Sequence, residues 1–152
     1  MTIMKKYVLI VAAALGLMLG LIAAPTHAQV NSGNLSAILL PSAARTATSV
    51  VSADITNTQW RGGHFIVNVS AYASGTYTPT IQGKDPASGT YYTILEGNAI
   101  SATGTTVLKV YPGATPIAGG VASDIIPKTF RVSMAASSTA TVTYSVGASL
   151  SQ

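Results

Sequence analysis

The segment HFIVNVSAYA, from His64 to Ala73, is the clearest predicted strand in the sequence. Its side chains alternate in character: one face carries Phe65, Val67, Val69, Ala71 and Ala73, and the other carries His64, Ile66, Asn68, Ser70 and Tyr72. A period of two predicts a half-buried β-strand, because successive side chains of a strand point to opposite faces. Gly62 and Gly63, just before it, are predicted to form a turn, since glycine adopts positive φ without steric cost.

The segment that follows predicts a β-hairpin. Tyr77–Gly83 and Tyr91–Glu96 are rich in Thr, Tyr and Ile, as strands are. Residues 84–89 between them read Lys-Asp-Pro-Ala-Ser-Gly. Aspartate before proline favours a turn, because its carboxylate accepts hydrogen bonds from nearby backbone N–H groups. We therefore expect Asp85 to stabilise the loop of this hairpin.

Three more strands and one long connection complete the pattern. Thr105–Tyr111 carries apolar groups on both faces and is predicted to be central or shared with a neighbour. Residues 114–128 contain two prolines and two glycines and are expected to cross between sheets, as in Greek-key folds. Thr129–Ala135 and Thr139–Val146 are predicted to form a terminal hairpin.

These segments predict an all-β fold, a single antiparallel β-sandwich of Greek-key or jelly-roll type with about six to eight strands. The sandwich is predicted to span residues 44–152. Residues 29–43 contain one short apolar run, Ala37–Leu40, which Pro41 ends. This pattern indicates an N-terminal arm or a first edge strand.

The first 28 residues differ from the rest of the chain. Lys5 and Lys6 precede a run without charge from Tyr7 to Ala24, and a small residue follows at Ala28 with a tolerable one at Thr26. This is the pattern of a secretory signal peptide cleaved before Gln29. The alternative is a retained transmembrane helix, because about 18 apolar residues are just enough to cross a bilayer. Both interpretations predict export to the periplasm, the cell surface or the medium, with membrane contact only through residues 1–28.

Charge and cysteine content exclude several classes of protein. After residue 28 there are six cations and four carboxylates, so the net charge is +2, and the cations are scattered along the sequence. Nucleic-acid binding needs a concentrated basic patch, so no nucleic-acid partner is expected. The chain has no cysteine, which excludes disulfides, thiolate nucleophiles and cysteine-based metal sites.

The residues that carry chemistry are few. His64 is the one histidine after residue 28, and a general base or metal ligand needs partners. Asp85 is expected in a turn, and Asp124 is expected to cap a turn or to pair with Arg131. No nucleophile elbow, phosphate-binding loop or metal-ligand spacing occurs. The sequence therefore predicts no enzyme, with no catalytic residue, no metal and no cofactor.

Aromatic residues offer a candidate interaction surface instead. Trp60, Tyr72, Tyr91 and Tyr92 would form a platform for a glycan or a protein if they shared an exposed face. Adjacent Tyr91 and Tyr92 must point to opposite sides of a strand. The alternative interpretation is that these rings pack in the core or in a subunit interface with their polar tips hydrogen-bonded.

Several motifs in fixed order make residues 44–150 resemble a family of small tailed-phage virion proteins of the decoration type. The motifs are Arg45–Thr48, Ile81–Pro86, Ser88–Leu95, Val110–Gly113, Ile126–Val132 and Tyr144–Leu150. The resemblance implies a β-sandwich that binds a capsid or another virion surface as an oligomer, without catalytic residues. An export signal departs from this family, because capsids assemble in the host cytoplasm.

The expected function is therefore that of a structural, assembly-forming protein whose partners are copies of itself or a virion surface. Its contacts are expected at strand edges, the N-terminal arm and residues 114–128. The alternative is a secreted cell-surface module, adhesin-like or carbohydrate-binding, derived from a phage gene. A secreted hydrolase is a third and weaker hypothesis. Location in a virion is the alternative to export.

Overall fold

The computed structural model describes residues 33–152, so the predicted signal or anchor at residues 1–28 lies outside the described residues. This part of the chain is all-β. Its strands are β1 (Leu35–Thr46), β2 (Val50–Val51), β3 (Ile55–Thr56), β4 (Gly62–Ser74), β5 (Tyr77–Lys84), β6 (Tyr91–Glu96), β7 (Gly104–Val110), β8 (Val121–Ala122), β9 (Thr129–Ala136) and β10 (Thr141–Ser151).

The strands form two five-stranded sheets. Sheet A has the order β1-β10-β4-β7-β8, and sheet B has the order β2-β9-β5-β6 with β3 also paired to β9. All pairs are antiparallel except β7 with β8. The pairing is nested around the β5–β6 hairpin: β4 pairs with β7, β2 and β3 pair with β9, and β1 pairs with β10.

Both sheets contribute to one hydrophobic core. Phe65 of sheet A meets Phe130 of sheet B edge to face, with ring centroids 5.9 Å apart. Tyr144 of sheet A lies against Tyr77 of sheet B at 4.9 Å. Each large side chain buried in this way contributes about 1.5–3 kcal/mol. The two sheets are therefore held together by side chains that alternate along their strands.

The clearest predicted strand is confirmed, and it is longer than expected. Phe65, Val67 and Val69 are buried, whereas Ala71 and Ala73 on the same predicted face are exposed. The reason is two register shifts between β4 and β10, which displace the end of β4 from the alternating pattern. Buried and exposed side chains therefore alternate in the first half of β4 and not in the second.

The prediction of a turn at Gly62 and Gly63 is wrong, because both residues belong to β4 and neither has a positive φ. Their small size is needed for a different reason. A Cβ on Gly63 would lie 2.7 Å from Leu150 Cδ2 and 2.7 Å from the Ser149 carbonyl oxygen. A Cβ on Gly62 would collide with the ring of Tyr111. These glycines let the neighbouring strands approach.

The hairpin of β5 and β6 is confirmed, and so is the role of Asp85 in its turn. The Asp85 carboxylate accepts hydrogen bonds from the backbone N–H groups of Ala87 at 3.0 Å and Ser88 at 3.3 Å, and from the Ser88 hydroxyl. These hydrogen bonds lower the pKa of Asp85, and the bond from the Ser88 hydroxyl has the largest effect. Gly89 closes the loop with a φ of 72°.

The prediction of a terminal hairpin is wrong. The two last strands, β9 and β10, lie in different sheets and do not pair. Each has one apolar face, and these faces meet across the core instead of lying side by side. The link between them is anchored elsewhere, because the N–H of Ser137 donates to the Thr76 carbonyl and the N–H of Ala47 donates to the Ala140 carbonyl.

The first strand begins at Leu35, before residue 44, where the β domain was predicted to start. Residues 35–43 belong to β1, the edge strand of sheet A, so they adopt the edge-strand alternative for this segment. The connection at residues 114–128 leads from β7 in sheet A to β9 in sheet B, as expected, and contributes β8 on the way.

Candidate functional site

The four aromatic residues predicted as one interaction surface do not share one sheet face. Trp60 lies in the loop before β4, and Tyr72 lies near the end of β4 in sheet A. Tyr91 and Tyr92 lie on β6 in sheet B, opposite Lys84 and Gly83, and so point to opposite sides of that sheet. Each ring must therefore be considered by itself.

Trp60 is half-buried and packs against the core. Its indole Nε1 donates to the Gly33 carbonyl at 3.1 Å. The loop is held by Asn57, whose amide donates to the carbonyls of Trp60 at 2.6 Å and Ile126 at 2.8 Å. Beside the indole lies a shallow depression of about 470 Å³ lined by Asn57, Thr58, Gln59, Trp60 and Lys128. Of the four predicted aromatic residues, Trp60 is the one that lines this depression.

Tyr72 and Tyr92 are the more exposed of the four rings, at 37% and 47%. The Tyr72 hydroxyl donates to the Gly75 carbonyl at 3.0 Å, so its polar tip is used at the end of its own strand. The Tyr92 ring covers Gly83, where an added Cβ would lie 2.6 Å from the Tyr92 hydroxyl oxygen. Both rings keep an exposed surface, on separate parts of the domain.

Tyr91 is the centre of a charged network on the outer side of sheet B. The Arg131 guanidinium lies 3.2 Å from the ring centroid, and the Tyr91 hydroxyl donates to Asp54 Oδ1 at 2.6 Å. Lys84 Nζ binds the other oxygen of Asp54 at 2.8 Å. The hydrogen bond from Lys84, and to a smaller extent that from Tyr91, lowers the pKa of Asp54. The bond to Asp54 in turn raises the pKa of Lys84.

The polar groups of this network bind one another, and Arg131 Nε also donates to Gln82 Oε1 at 2.8 Å. It ties the segment before β3 to β5, β6 and β9, which makes Tyr91 a structural residue of sheet B. No local sequence pattern could have indicated this network, since Asp54 and Lys84 are 30 residues apart. Arg131 is not paired with Asp124, whose Oδ1 accepts the N–H of Ile125 at 2.7 Å.

Sequence reasoning missed the outer side of sheet A, which we call the sheet A face. Strand register aligns three rows of side chains across it. The central row is apolar and runs Ile38, Gly147, Ile66, Val107 from β1 through β10 and β4 to β7. The two flanking rows are polar and read Ser36, Ser149, His64, Lys109 on one side and Ser145, Asn68, Thr105 on the other.

The central row is open to solvent at both ends. Ile38 on β1 is 81% exposed and Val107 on β7 is 40% exposed, while Ile66 between them is half-buried. The second position of the row is Gly147, which has no side chain, so the row is shallow there. A Cβ added to Gly147 would meet no atom nearer than 3.6 Å. The sheet A face therefore presents an apolar strip between two polar rows.

The charges on sheet A are all positive. The strands β1, β4, β7 and β10 contain no aspartate or glutamate, and Lys109 is the charged residue on the face. Arg45 of β1 is folded back: its guanidinium donates to the carbonyls of Pro41, Ala43 and Tyr144 and lies 4.1 Å from the centroid of the Tyr144 ring. The sheet A face is therefore nearly neutral and has no carboxylate.

The edge of sheet A at β1 is unpaired among the described strands. Leu35–Ile38 pair with β10 in unbroken register, and register shifts follow after Ile38 and after Leu40. No charged residue occurs from Leu35 to Ala44. An unpaired edge presents a row of backbone N–H and C=O groups that another strand can bind.

Titratable residues are dispersed in the part of the chain that the structure describes. No group of three or more His, Asp or Glu side chains there is close enough to hold a metal ion. His64 faces Ser149 and Lys109 in the neighbouring strands. Residues 33–152 also contain no helix of the length and hydrophobicity that a membrane span needs.

Comparison with known proteins gives no relative on which to base a function: no protein-family model, no curated protein and no solved structure matches this chain.

Proposed function

We propose that this chain is a non-enzymatic assembly protein that binds through the sheet A face and the free edge of β1. The apolar row from Ile38 to Val107 is the observation that carries the proposal. Larger exposed apolar patches with a polar rim mark interaction sites, and this row has a polar row on each side. Covering an exposed isoleucine side chain alone contributes about 2 kcal/mol to binding.

The proposal includes a jelly-roll sandwich as the fold. When β2 and β3 are counted as one interrupted strand and the two-residue β8 is left out, the nested pairs join the first strand to the last, the second to the second-last, and so on to the β5–β6 hairpin. This order supports two Greek keys wound together, the arrangement of many viral capsid and lectin domains. Because one fold hosts many functions, the surface and not the topology favours assembly.

The resemblance to phage decoration proteins supports a capsid or another virion surface as the larger partner. The nearly neutral sheet A face suits a broad contact without charge repulsion. Export through residues 1–28 is part of the proposal, with the protein acting at the cell surface or on a virion that meets a membrane. Mass spectrometry of the native N-terminus tests this part: a first residue of Gln29 supports cleavage, and an intact Met1 or Thr2 supports a retained anchor.

Light scattering on residues 29–152 tests the assembly. The core lies between Leu39 and Leu150, so this segment contains the complete two-sheet domain. We expect average mass to rise with concentration, and Ile66→Asp on the sheet A face to abolish the rise. Ser133→Asp on the outer side of sheet B, where Ser133 pairs with Thr80 and Val51, is the matched control and should have no effect. A wild-type chain that stays monomeric and binds no surface would overturn the proposal.

A second candidate function, a secreted carbohydrate-binding module, is favoured by the depression beside Trp60. An indole face bordered by amide and lysine side chains is suited to stacking and hydrogen bonding with a sugar. Glycan-array binding by residues 29–152 tests it. Trp60→Ala should abolish binding while Tyr72→Ala leaves it unchanged. Equal binding by all three proteins, or none, would remove this candidate.

A further inference from the structure

We propose that a depression at one end of the sheet A face binds the carboxylate of an acidic side chain on a protein partner. It has a volume of about 270 Å³ and is lined by Asn34, Gly63, His64, Tyr111, Ser149 and Ser151; we call it the Tyr111 depression. The inference rests on the proposed assembly function and names the chemistry that the partner surface must offer.

The wall of the Tyr111 depression is an aromatic ring that the backbone holds in place. Gly62 of β4 has no side chain, and a Cβ there would collide with the ring of Tyr111. The ring therefore lies beside Gly62, and its hydroxyl donates to the carbonyl of Gln152, just after β10, at 3.0 Å. Because the ring is fixed at its Cα and at its hydroxyl, the depression is already formed before a ligand binds.

Three polar side chains lie in one row beside this wall. Ser149 of β10 and Lys109 of β7 each lie directly opposite His64 of β4. Opposite residues of an antiparallel pair point to the same face, with Cβ atoms about 4.5–5.5 Å apart. The ammonium group of Lys109 can therefore reach a group bound over His64. A hydroxyl, an imidazole and an ammonium group can all donate hydrogen bonds to a carboxylate.

Two of these donors are not used within the domain. The side chains of His64 and Lys109 are exposed and form no hydrogen bond or ion pair with any of residues 33–152. By contrast, Arg45 donates to backbone carbonyls, Lys84 binds Asp54, and Arg131 donates to Gln82. The donors beside the Tyr111 depression are therefore available to a group from outside the domain.

The charge of the site favours a carboxylate as the ligand. Strands β1, β4, β7 and β10 contain no aspartate or glutamate, so no acidic side chain of these strands competes for Lys109. Asp124, which follows β8, accepts the N–H of Ile125 instead. A phosphate chain needs a concentrated set of cations, whereas one lysine matches the single charge of a carboxylate.

The Tyr111 depression borders the apolar row, so one partner can contact both. His64 precedes Ile66 by two residues on β4, and Lys109 follows Val107 by two residues on β7. A partner that covers the apolar row therefore also meets the depression. Charged contacts at an interface determine orientation and partner choice more than affinity. We infer that the apolar row supplies most of the affinity and the carboxylate selects the partner.

An NMR titration of ¹⁵N-labelled residues 29–152 with a capped hexaglutamate peptide tests the inference. Low ionic strength is suitable, because salt screens a contact between exposed charges. We expect the largest chemical-shift changes at His64, Lys109 and Ser149. A capped hexaglutamine peptide has nearly the same shape without the charge, and we expect it to bind more weakly.

Two pairs of variants locate the contact. Lys109→Gln should weaken binding of hexaglutamate at least about fivefold, as expected for the loss of a charge-assisted hydrogen bond. Lys128→Gln removes one exposed positive charge outside the Tyr111 depression and should bind as wild type does. Ser149→Leu fills the depression without a change of charge and should weaken binding, whereas Ser145→Leu on the same face of β10 should not. Circular dichroism checks that each variant folds.

Several results would count against the inference. Equal weakening by Lys109→Gln and Lys128→Gln would overturn it, because binding would then depend on net charge alone. Full binding by Ser149→Leu would place the carboxylate outside the depression, and hexaglutamine binding as tight as hexaglutamate would exclude a carboxylate as the preferred ligand. If the inference fails while light scattering still shows association lost in Ile66→Asp, the assembly function stands and only the partner chemistry is wrong.

Discussion

Replacing Tyr144 by phenylalanine is expected to stabilise the domain. The Tyr144 side chain is fully buried, and its hydroxyl has no hydrogen-bond partner among the described residues. The ring itself is well packed between Tyr77 and the guanidinium of Arg45. Tyr144→Phe removes the unsatisfied oxygen and keeps both ring contacts.

The magnitude follows from the two opposing effects of the substitution. A buried polar group without a partner costs about 1–3 kcal/mol of desolvation, and that cost disappears in phenylalanine. The gap left by one oxygen atom and a slightly weaker cation–π contact with Arg45 cost less than about 1 kcal/mol. We therefore expect the free energy of unfolding to rise by about 1 kcal/mol.

Tyr77→Phe is the matched control. Tyr77 is equally buried and belongs to the same ring pair, but its hydroxyl donates to the Thr48 carbonyl at 3.4 Å. Loss of the Tyr77 hydroxyl should leave the free energy of unfolding unchanged or lower it by up to about 1 kcal/mol. Urea unfolding of residues 29–152, followed by circular dichroism at neutral pH, measures both variants. A Tyr144→Phe variant that is less stable than wild type would refute the reasoning, because it would mean that the hydroxyl is hydrogen-bonded.

The same variant gives a pH test with a defined sign. Burial raises the pKa of Tyr144 from 10.0 to about 12, and the nearby charge of Arg45 lowers it in part. Between these two values the unfolded chain loses this proton and the folded chain keeps it, so folding becomes less stable as pH rises. The advantage of Tyr144→Phe over wild type should grow from pH 9 to pH 12, by up to about 3 kcal/mol. An advantage that is constant with pH would contradict the assigned cause.

Three other substitutions test the fold by urea unfolding. Gly63→Ala should lower the free energy of unfolding by about 1–3 kcal/mol, because the new Cβ collides with the neighbouring strand, whereas Gly147→Ala on the open face should be neutral. Asp85→Ala should weaken the β5–β6 turn, and its effect should be full above about pH 4 and fade as the pH falls below that, because a carboxylate with a lowered pKa loses its contribution only as the folded protein takes up the proton. Asp54→Asn should destabilise the domain less in high salt, because the Lys84 pair it disrupts is exposed and screened.

The features that could be predicted from the sequence are local. The alternation in β4 and the turn chemistry of Asp85 depend on residues close together in the chain, so they identify a strand and a hairpin without knowledge of the rest. The location of the longer strands follows in the same way. The all-β class needed no more than this, whereas the strand number did not follow: the structure has ten strands where about six to eight were expected, and β2, β3 and β8 have only two residues each.

Pairing between distant strands could not be predicted from the same signals. A strand with one apolar face is equally suited to pair with its neighbour in sequence or to face that neighbour across a core, and β9 and β10 do the second. Gly62 and Gly63 illustrate the same limit, because the atoms that require their small size belong to Tyr111 and Leu150. The sheet A face combines four strands far apart in sequence, so its apolar row exists only once their register is known.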